Sequence, residues 1–337
     1  MQKPAGAGDF ESVSIVRGRH HVGDPAEERA EVRRNLLRSL PRIDCKYFYD
    51  DAGSHLFEEI THLPEYYQTR TEEALLAEIA DEVVALTGTR ELVELGSGAG
   101  RKVRLLLDAM QRREGLERAV LLDINETFLR TSARKLAQRY PEIGVCGIVG
   151  NFLHDLELVG AGDDRLFIFL AGTIGNLYPP QLTAFLRNVR AVLGPQDAFL
   201  VGLDLVKDRD RLEAAYNDSA GITAEFNLNA LRTLNRRFGT AFDIDAFEHR
   251  AFYDCEQEWI EMRLRAKRPT SASLGDGRQM RFDSGDEIRT EISRKFTRRS
   301  FVEALEGTGL ELSAWFTDSD SLFASALVRP VPVSSSP

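Results

Sequence analysis

Apolar and polar positions follow two different periods along this chain, and the changes of period mark out its parts. From Glu27 to Leu40 apolar residues recur among charges at helical spacing, which predicts an amphipathic helix ended near Pro41. Beyond Thr71 the pattern becomes regular: helices are expected over 71–87, 101–112, 126–139 and 180–193, and strands over 91–96, 119–124, 144–150, 165–170 and 198–204. Runs such as Leu166-Phe167-Ile168-Phe169-Leu170 and Phe199-Leu200-Val201-Gly202-Leu203 are apolar almost throughout, as strands covered on both faces must be. This alternation predicts an α/β fold with a doubly wound, Rossmann-like parallel sheet. After Asp204 the rhythm breaks for about 85 residues. A helix near 298–308 and strands over 310–317 and 321–328, joined by Thr317-Asp318-Ser319-Asp320, then close the chain as an antiparallel hairpin at the sheet edge.

The segments outside this rhythm predict a second, α+β domain. Its expected parts are 20–65 and 205–290, set over a sheet domain of 66–204 and 291–330, with 1–19 and 331–337 as loose termini. Within 46–70 the aromatics Tyr47, Phe48, Tyr49, Phe57, Tyr66 and Tyr67 are too many for a solvated loop, so they fill a core or line a pocket.

Composition narrows the function. With 43% hydrophobic and 28% charged residues in 337, the chain is an ordinary globular protein with a real core. No run approaches the roughly 18 to 20 apolar residues of a membrane span, and the first residues lack the layout of a signal peptide. A cytoplasmic monomer is the expectation. Cys45, Cys146 and Cys255 are far apart and read as core thiols, and the six histidines show no ligand spacing, so no metal is expected. A formal net charge of −10 argues against nucleic acid as a partner.

Chemistry concentrates at the predicted strand ends. Glu94-Leu95-Gly96-Ser97-Gly98-Ala99-Gly100-Arg101-Lys102 links a strand to a helix, and its glycines permit a tight turn against which a cofactor can lie. A pyrophosphate turn wants Gly-x-Gly-x-x-Gly, and Arg101 in the last position disfavours a nicotinamide oxidoreductase. Asp123, at the tip of the second strand, can accept both hydrogen bonds from a ribose diol; its alternative role is to cap the following helix. Asn151 and Phe152, after the third strand, offer an edge and a face to adenine. Together these favour an adenosine cofactor. The strand–turn–helix and the closing hairpin resemble class I methyltransferases, which use S-adenosylmethionine, and Lys102 then suits the cofactor's methionyl carboxylate.

In that fold the loop Ala171-Gly172-Thr173-Ile174-Gly175-Asn176 faces the transferable methyl, and Asn176 can bind a small polar acceptor. Methyl transfer from a sulfonium is a displacement that needs an acceptor lone pair held in line and water kept out. An amine must first lose its proton, and tyrosine hydroxyls can assist. Thr290-Glu291-Ile292-Ser293 reads as extended chain. Its period of two puts a carboxylate and a hydroxyl about 7 Å apart on one face, a spacing that suits the two nitrogens of an imidazole as well as it suits a plain surface strand.

Several blocks carry a narrower resemblance. Lys46-Tyr47-Phe48-Tyr49-Asp50, Leu63-Pro64-Glu65-Tyr66-Tyr67, Thr173-Ile174-Gly175-Asn176-Leu177, Asp204-Leu205-Val206-Lys207-Asp208, Ile260-Glu261-Met262 and Thr290-Glu291 with Lys295-Phe296 resemble the L-histidine Nα-methyltransferases of ergothioneine biosynthesis. The resemblance implies cofactor contacts at Gly96, Lys102, Asp123, Asn151 and Phe152, with Gly98 in the same turn. It implies histidine contacts at Tyr49, Tyr66, Asn176 and Tyr216 around the amino and carboxylate groups, of which Tyr49 and Asn176 are the catalytic candidates. Glu291 and Ser293 would hold the imidazole, and Met262 would shape the side-chain pocket. The reaction implied is three methylations of L-histidine to hercynine. Two positions depart from that pattern: the family usually has Asp where this chain has Asn151, and Gly where it has Ala171. The competing readings are an N-methyltransferase of tryptophan, histamine or another amine, and a non-catalytic S-adenosylmethionine-binding module.

Overall fold

A computed structural model describes residues 13–18, 25–98 and 100–332. In chain order the elements are β1 (Val13–Arg17), α1 (Pro25–Leu36), α2 (Asp51–Ile60), α3 (Tyr67–Thr87), β2 (Glu91–Leu95), α4 (Val103–Arg112), β3 (Arg118–Asp123), α5 (Glu126–Arg139), β4 (Gly144–Val149), β5 (Arg165–Phe169), α6 (Pro179–Val192) and β6 (Ala198–Asp204). There follow α7 (Arg209–Ala214), α8 (Ile222–Phe238), β7 (Phe247–Asp254), β8 (Trp259–Ala266), β9 (Thr270–Ser273), β10 (Gln279–Phe282), β11 (Glu287–Arg294), α9 (Arg298–Leu305), β12 (Leu310–Thr317) and β13 (Phe323–Pro330).

Eight strands form one sheet in the order β1-β4-β3-β2-β5-β6-β13-β12. All pairs from β1 to β6 are parallel, and β13 runs antiparallel between β6 and β12. The expected α/β sheet with a terminal hairpin is therefore present. The order of connection reverses between β2 and β5, the switch point beyond whose carboxyl ends open α/β sheets bind ligands. Every residue of β2, β5 and β6 is buried, because helices cover both faces.

The differences from the predicted elements have local causes. The segment 1–19, expected to be loose, supplies β1, which adds to the free edge of β4 with Val13 opposite Val145 and Ile15 opposite Gly147. Only five residues long and half-polar, it gives no hydropathy signal of its own. Helix α3 begins four residues before the predicted 71 because Tyr67, Gln68 and Thr69 are buried in its first turn, and it ends at Gly88 in the left-handed conformation that suits a C-cap. The irregular stretch after β6 holds α7, α8, the three-stranded antiparallel sheet β11-β8-β7 and the hairpin of β9 and β10.

That stretch encloses a core of its own. Val32, Leu36, Tyr47 and Phe48 from the N-terminal segment join Phe226, Leu231 and Leu234 of α8 and Ile260, Met262 and Leu264 of β8 in one buried cluster. The sheet has a separate cluster on each face. The aromatic segment 46–70 does both things expected of it: Tyr47 and Phe48 fill the core, while Tyr49, Phe57 and Tyr66 line a cavity. Of the cysteines, Cys146 is buried and Cys45 partly so, but Cys255 is exposed and corrects the reading of all three as core thiols. His20 and His21 lie outside the described residues.

Candidate active site

The carboxyl ends of β2, β3 and β4 bring the predicted cofactor residues to one edge. Gly96, Gly98 and Gly100 all have positive φ (76°, 46° and 63°), so the turn after β2 requires glycine for its backbone. A Cβ at Gly96 or Gly98 would meet nothing within 4 Å, so both face open space. One Asp123 oxygen accepts from Gly98 N at 2.8 Å and the other from Asn125 N at 2.8 Å. The helix cap is instead Asn125, whose side chain accepts from Phe128 N, which removes the capping role from Asp123. Asp123 keeps spare lone pairs at the strand tip, the acceptor set a ribose diol needs. Asn151 Oδ1 accepts from Leu153 N at 2.9 Å, fixing its own turn, and Phe152 packs edge-on against Phe169.

Lys102 is engaged rather than solvated. Its ammonium pairs with Glu72, a fully buried carboxylate that also accepts from Ala171 N through both oxygens, at 3.0 and 2.8 Å. One carboxylate thus ties the start of α4 to the loop after β5, a link between the glycine turn and the acceptor loop. Two further links run from α2: Arg101 contacts Glu58 and Thr61, and Asn125 Nδ2 donates to Ser54 Oγ and Asp51.

Beyond that loop lies a cavity of about 580 Å³, counting its open mouth. It brings together Tyr49, Tyr66, Asn176, Tyr216, Met262, Glu291 and Ser293, all seven of the predicted acceptor-site residues, and Ala171 lines it too. β11 explains three of them. Glu291 pairs across the ladder with Met262 of β8, and Ser293, two residues on, pairs with Ile260, so Glu291 and Ser293 share a face. A bulge between Arg289 and Glu291 sets that register. Gly175 lets the acceptor loop reach β11: a Cβ there would stand 2.8 Å from Arg294 O and 3.1 Å from Arg294 N.

Burial dominates the electrostatics. The hydroxyls of Tyr49, Tyr66 and Tyr216 are pushed well above the ordinary tyrosine value, by desolvation first and neighbouring acidic groups second, so at neutral pH they are phenols and not phenolates. Glu291 is pushed up to about 7 by desolvation, with Lys295 and a hydrogen bond from Asn176 opposing the rise. Asp204 behaves oppositely: it is buried, yet Lys295 and Lys207 hold it below the usual carboxylate range.

Sequence reasoning missed three groups at the cavity. Asp204 ends β6 and accepts from Tyr67 Oη at 2.8 and 3.0 Å. Gln68 lines the wall with Oε1 buried and unpartnered. Lys295, fully buried, touches Asp204, Tyr216 and Ser293. The last had a signal, since 291, 293 and 295 continue one period of two. Among the described residues no group of histidine, cysteine or acidic side chains is placed to hold a metal.

A reversed strand next to β6, a glycine turn after β2, an acid at the tip of β3 and a cavity beyond β5 lined by tyrosines and a carboxylate define a class I, S-adenosylmethionine-dependent methyltransferase of a small molecule. Residues 28–330 match the family described as histidine-specific, SAM-dependent methyltransferases, and the chain belongs to that family. It is 41% identical over 318 residues to the histidine N-alpha-methyltransferase of Mycolicibacterium smegmatis, covering 94% of this chain and 99% of that protein. It is 39% identical to the protein of the same name from Mycobacterium tuberculosis, covering 91% and 97%. The ergothioneine biosynthesis protein 1 of Neurospora crassa is 32% identical over 82% of this chain and 32% of its own length.

Proposed function

We propose that this enzyme methylates the α-amino group of free L-histidine three times, giving hercynine for ergothioneine biosynthesis. The observation that carries the reading is the single cavity wall on which Glu291, Ser293 and Met262 converge opposite Tyr49, Tyr66 and Asn176. The names of the mycobacterial and Neurospora relatives support it. In this reading Gly96, Gly98, Lys102, Asp123, Asn151 and Phe152 hold the cofactor, which when bound supplies an electrophilic methyl group. Tyr66 offers its O–H group to the substrate carboxylate, and Tyr216 lines the wall beside it. Tyr49 and Asn176 orient the amine so that its lone pair, once the ammonium proton has left, faces the methyl. Burial keeps the Tyr49 hydroxyl protonated at neutral pH, so it orients the amine as a hydrogen-bond partner and is not a phenolate base; the ammonium proton leaves to bulk water.

Segments 25–65 and 205–290, with the rest of β11 to Arg294, act as a substrate-binding domain over the sheet domain of 66–204 and the chain from α9 to 330. The enzyme works as a cytoplasmic monomer on a small molecule and not on nucleic acid, the last in keeping with its net charge of −10. No described helix is long and apolar enough to cross a membrane. The test is a panel of histidine, tryptophan and histamine incubated with S-adenosylmethionine and read by mass. Histidine gaining three methyl groups in succession is expected. Turnover of tryptophan or histamine in preference, or cofactor binding without turnover, overturns the reading.

A further inference from the structure

The mechanism above gives no part to Lys295, although it is fully buried beside the acceptor cavity. All three protons of its ammonium are engaged, on Asp204 Oδ2 at 2.7 Å, Tyr216 Oη at 3.0 Å and Ser293 Oγ at 2.9 Å. The Tyr216 hydroxyl, accepting from Lys295, gives its own proton to Ser293 Oγ at 2.8 Å. Ser293 Oγ then accepts twice, from Tyr216 and from Lys295. Its own proton finds no acceptor among the described residues, and Ser293 lines the cavity.

We infer that Lys295 is a positioning residue that locks Ser293 as a hydrogen-bond donor toward the substrate ring, and thereby selects a ring with one N–H and one bare nitrogen. The inference rests on the histidine reading above. Glu291 on the same face of β11 is the complementary acceptor, through either oxygen when ionised and through its carbonyl oxygen while it holds a proton, so Ser293 fixes which ring nitrogen must be bare. A neutral imidazole satisfies both. An imidazolium, with two N–H groups, leaves the Ser293 proton facing a proton, and an indole or pyrrole leaves it facing carbon; an unmet buried donor is costly. Without Lys295 the Tyr216–Ser293 pair is free to reverse, and Ser293 then tolerates either partner.

The experiment compares kcat/KM for histidine with that for the two isomeric pyrrolylalanines, each of which keeps a ring N–H and has carbon in place of the bare nitrogen. In Lys295→Met the preference for histidine is expected to fall at least tenfold, chiefly through KM. A loss shared equally by histidine and both pyrrolylalanines overturns the inference, since that is what a purely structural lysine would give. Because Lys295→Met leaves Asp204 short of a partner, Lys295→Met with Asp204→Asn is measured alongside and is expected to show the same collapse. A second measurement needs no variant: nitrogen NMR of ring-labelled histidine bound to the native enzyme with S-adenosylhomocysteine, near pH 6.5, where the free ring is about half protonated. One protonated and one bare nitrogen are expected; two protonated nitrogens overturn the inference. Failure of the native enzyme to methylate histidine at all would instead strike the histidine reading, so the two failures are distinguishable.

Discussion

The cofactor edge and the acceptor cavity lie on either side of one loop, yet they are built in different ways. At the edge, Gly96, Asp123 and Asn151 stand at the ends of successive strands, and backbone geometry does most of the work: positive φ in the turn, and main-chain amides donated to Asp123. The cavity draws side chains from α3, α8, β8, β11 and the loop before α6, and a buried charge cluster of Asp204, Lys207 and Lys295 holds its wall. The first is a property of the fold that any adenosine-binding relative can share. The second is a property of this set of side chains, so specificity resides there.

The comparison breaks most visibly at Asp123. Asp123→Ala removes the proposed ribose acceptor and releases Gly98 N, so S-adenosylhomocysteine affinity is expected to fall by at least about a hundredfold, as for the loss of two charge-assisted hydrogen bonds of about 1.5–3 kcal/mol each. Calorimetry measures this directly. A change below tenfold would mean that the turn alone seats the cofactor.

This division also decides what the sequence reveals. The strands and helices of the sheet are legible because burial on both faces writes long apolar runs, and the Gly96–Gly98 turn with Asp123 is legible because the fold fixes where strand ends fall. The stretch after Asp204 is not: β7 and β8 mix exposed and buried positions, and α8 buries Asn227, Asn229 and Thr233, whose polarity hides its inner face. Those polar groups are buried because they meet partners distant in sequence, such as Thr290 on Asn227 and Asp50 on Asn229 and Thr233. The spacing of two puts Glu291 and Ser293 on one face, but only the family resemblance joins them to an imidazole and to Tyr49 and Asn176.

Glu291 sharpens the comparison from the other side. Glu291→Ala is expected to raise the KM for histidine more than tenfold, while S-adenosylhomocysteine affinity stays within about twofold because the two sites are separately built. An unchanged KM would remove Glu291 from the pocket. Glu291→Gln reports on the cost of the buried charge. Glu291 reaches about 7 in the folded protein, above its unfolded value. Below about pH 4.5 both states hold the proton; as pH rises toward 7 the unfolded state releases it and the folded state does not, so native stability falls over that window. The Gln variant escapes this loss. Its advantage in unfolding free energy should grow from pH 4.5 to 7, reach at most about 3 kcal/mol, and level off above. A difference that does not vary with pH would mean that Glu291 is solvated.

The smallest effect belongs to the loop that joins the two regions. Ala171 has a φ of 63°, a left-handed conformation that costs an alanine about 1–2 kcal/mol and glycine almost nothing. Against that relief, glycine gains about 0.4–1 kcal/mol of freedom in the unfolded chain. Ala171→Gly should therefore stabilise the enzyme by no more than about 1.6 kcal/mol, a rise in Tm of at most about 2 °C. The same substitution removes a methyl group from the cavity wall while sparing the Ala171 N–H that Glu72 accepts. Space beside a crowding trimethylamine should matter most at the third transfer, so the ratio of trimethylated to dimethylated product should rise at fixed time. A higher Tm with an unchanged ratio would assign the alanine to the backbone alone, and leave the extent of methylation to the tyrosines across the cavity.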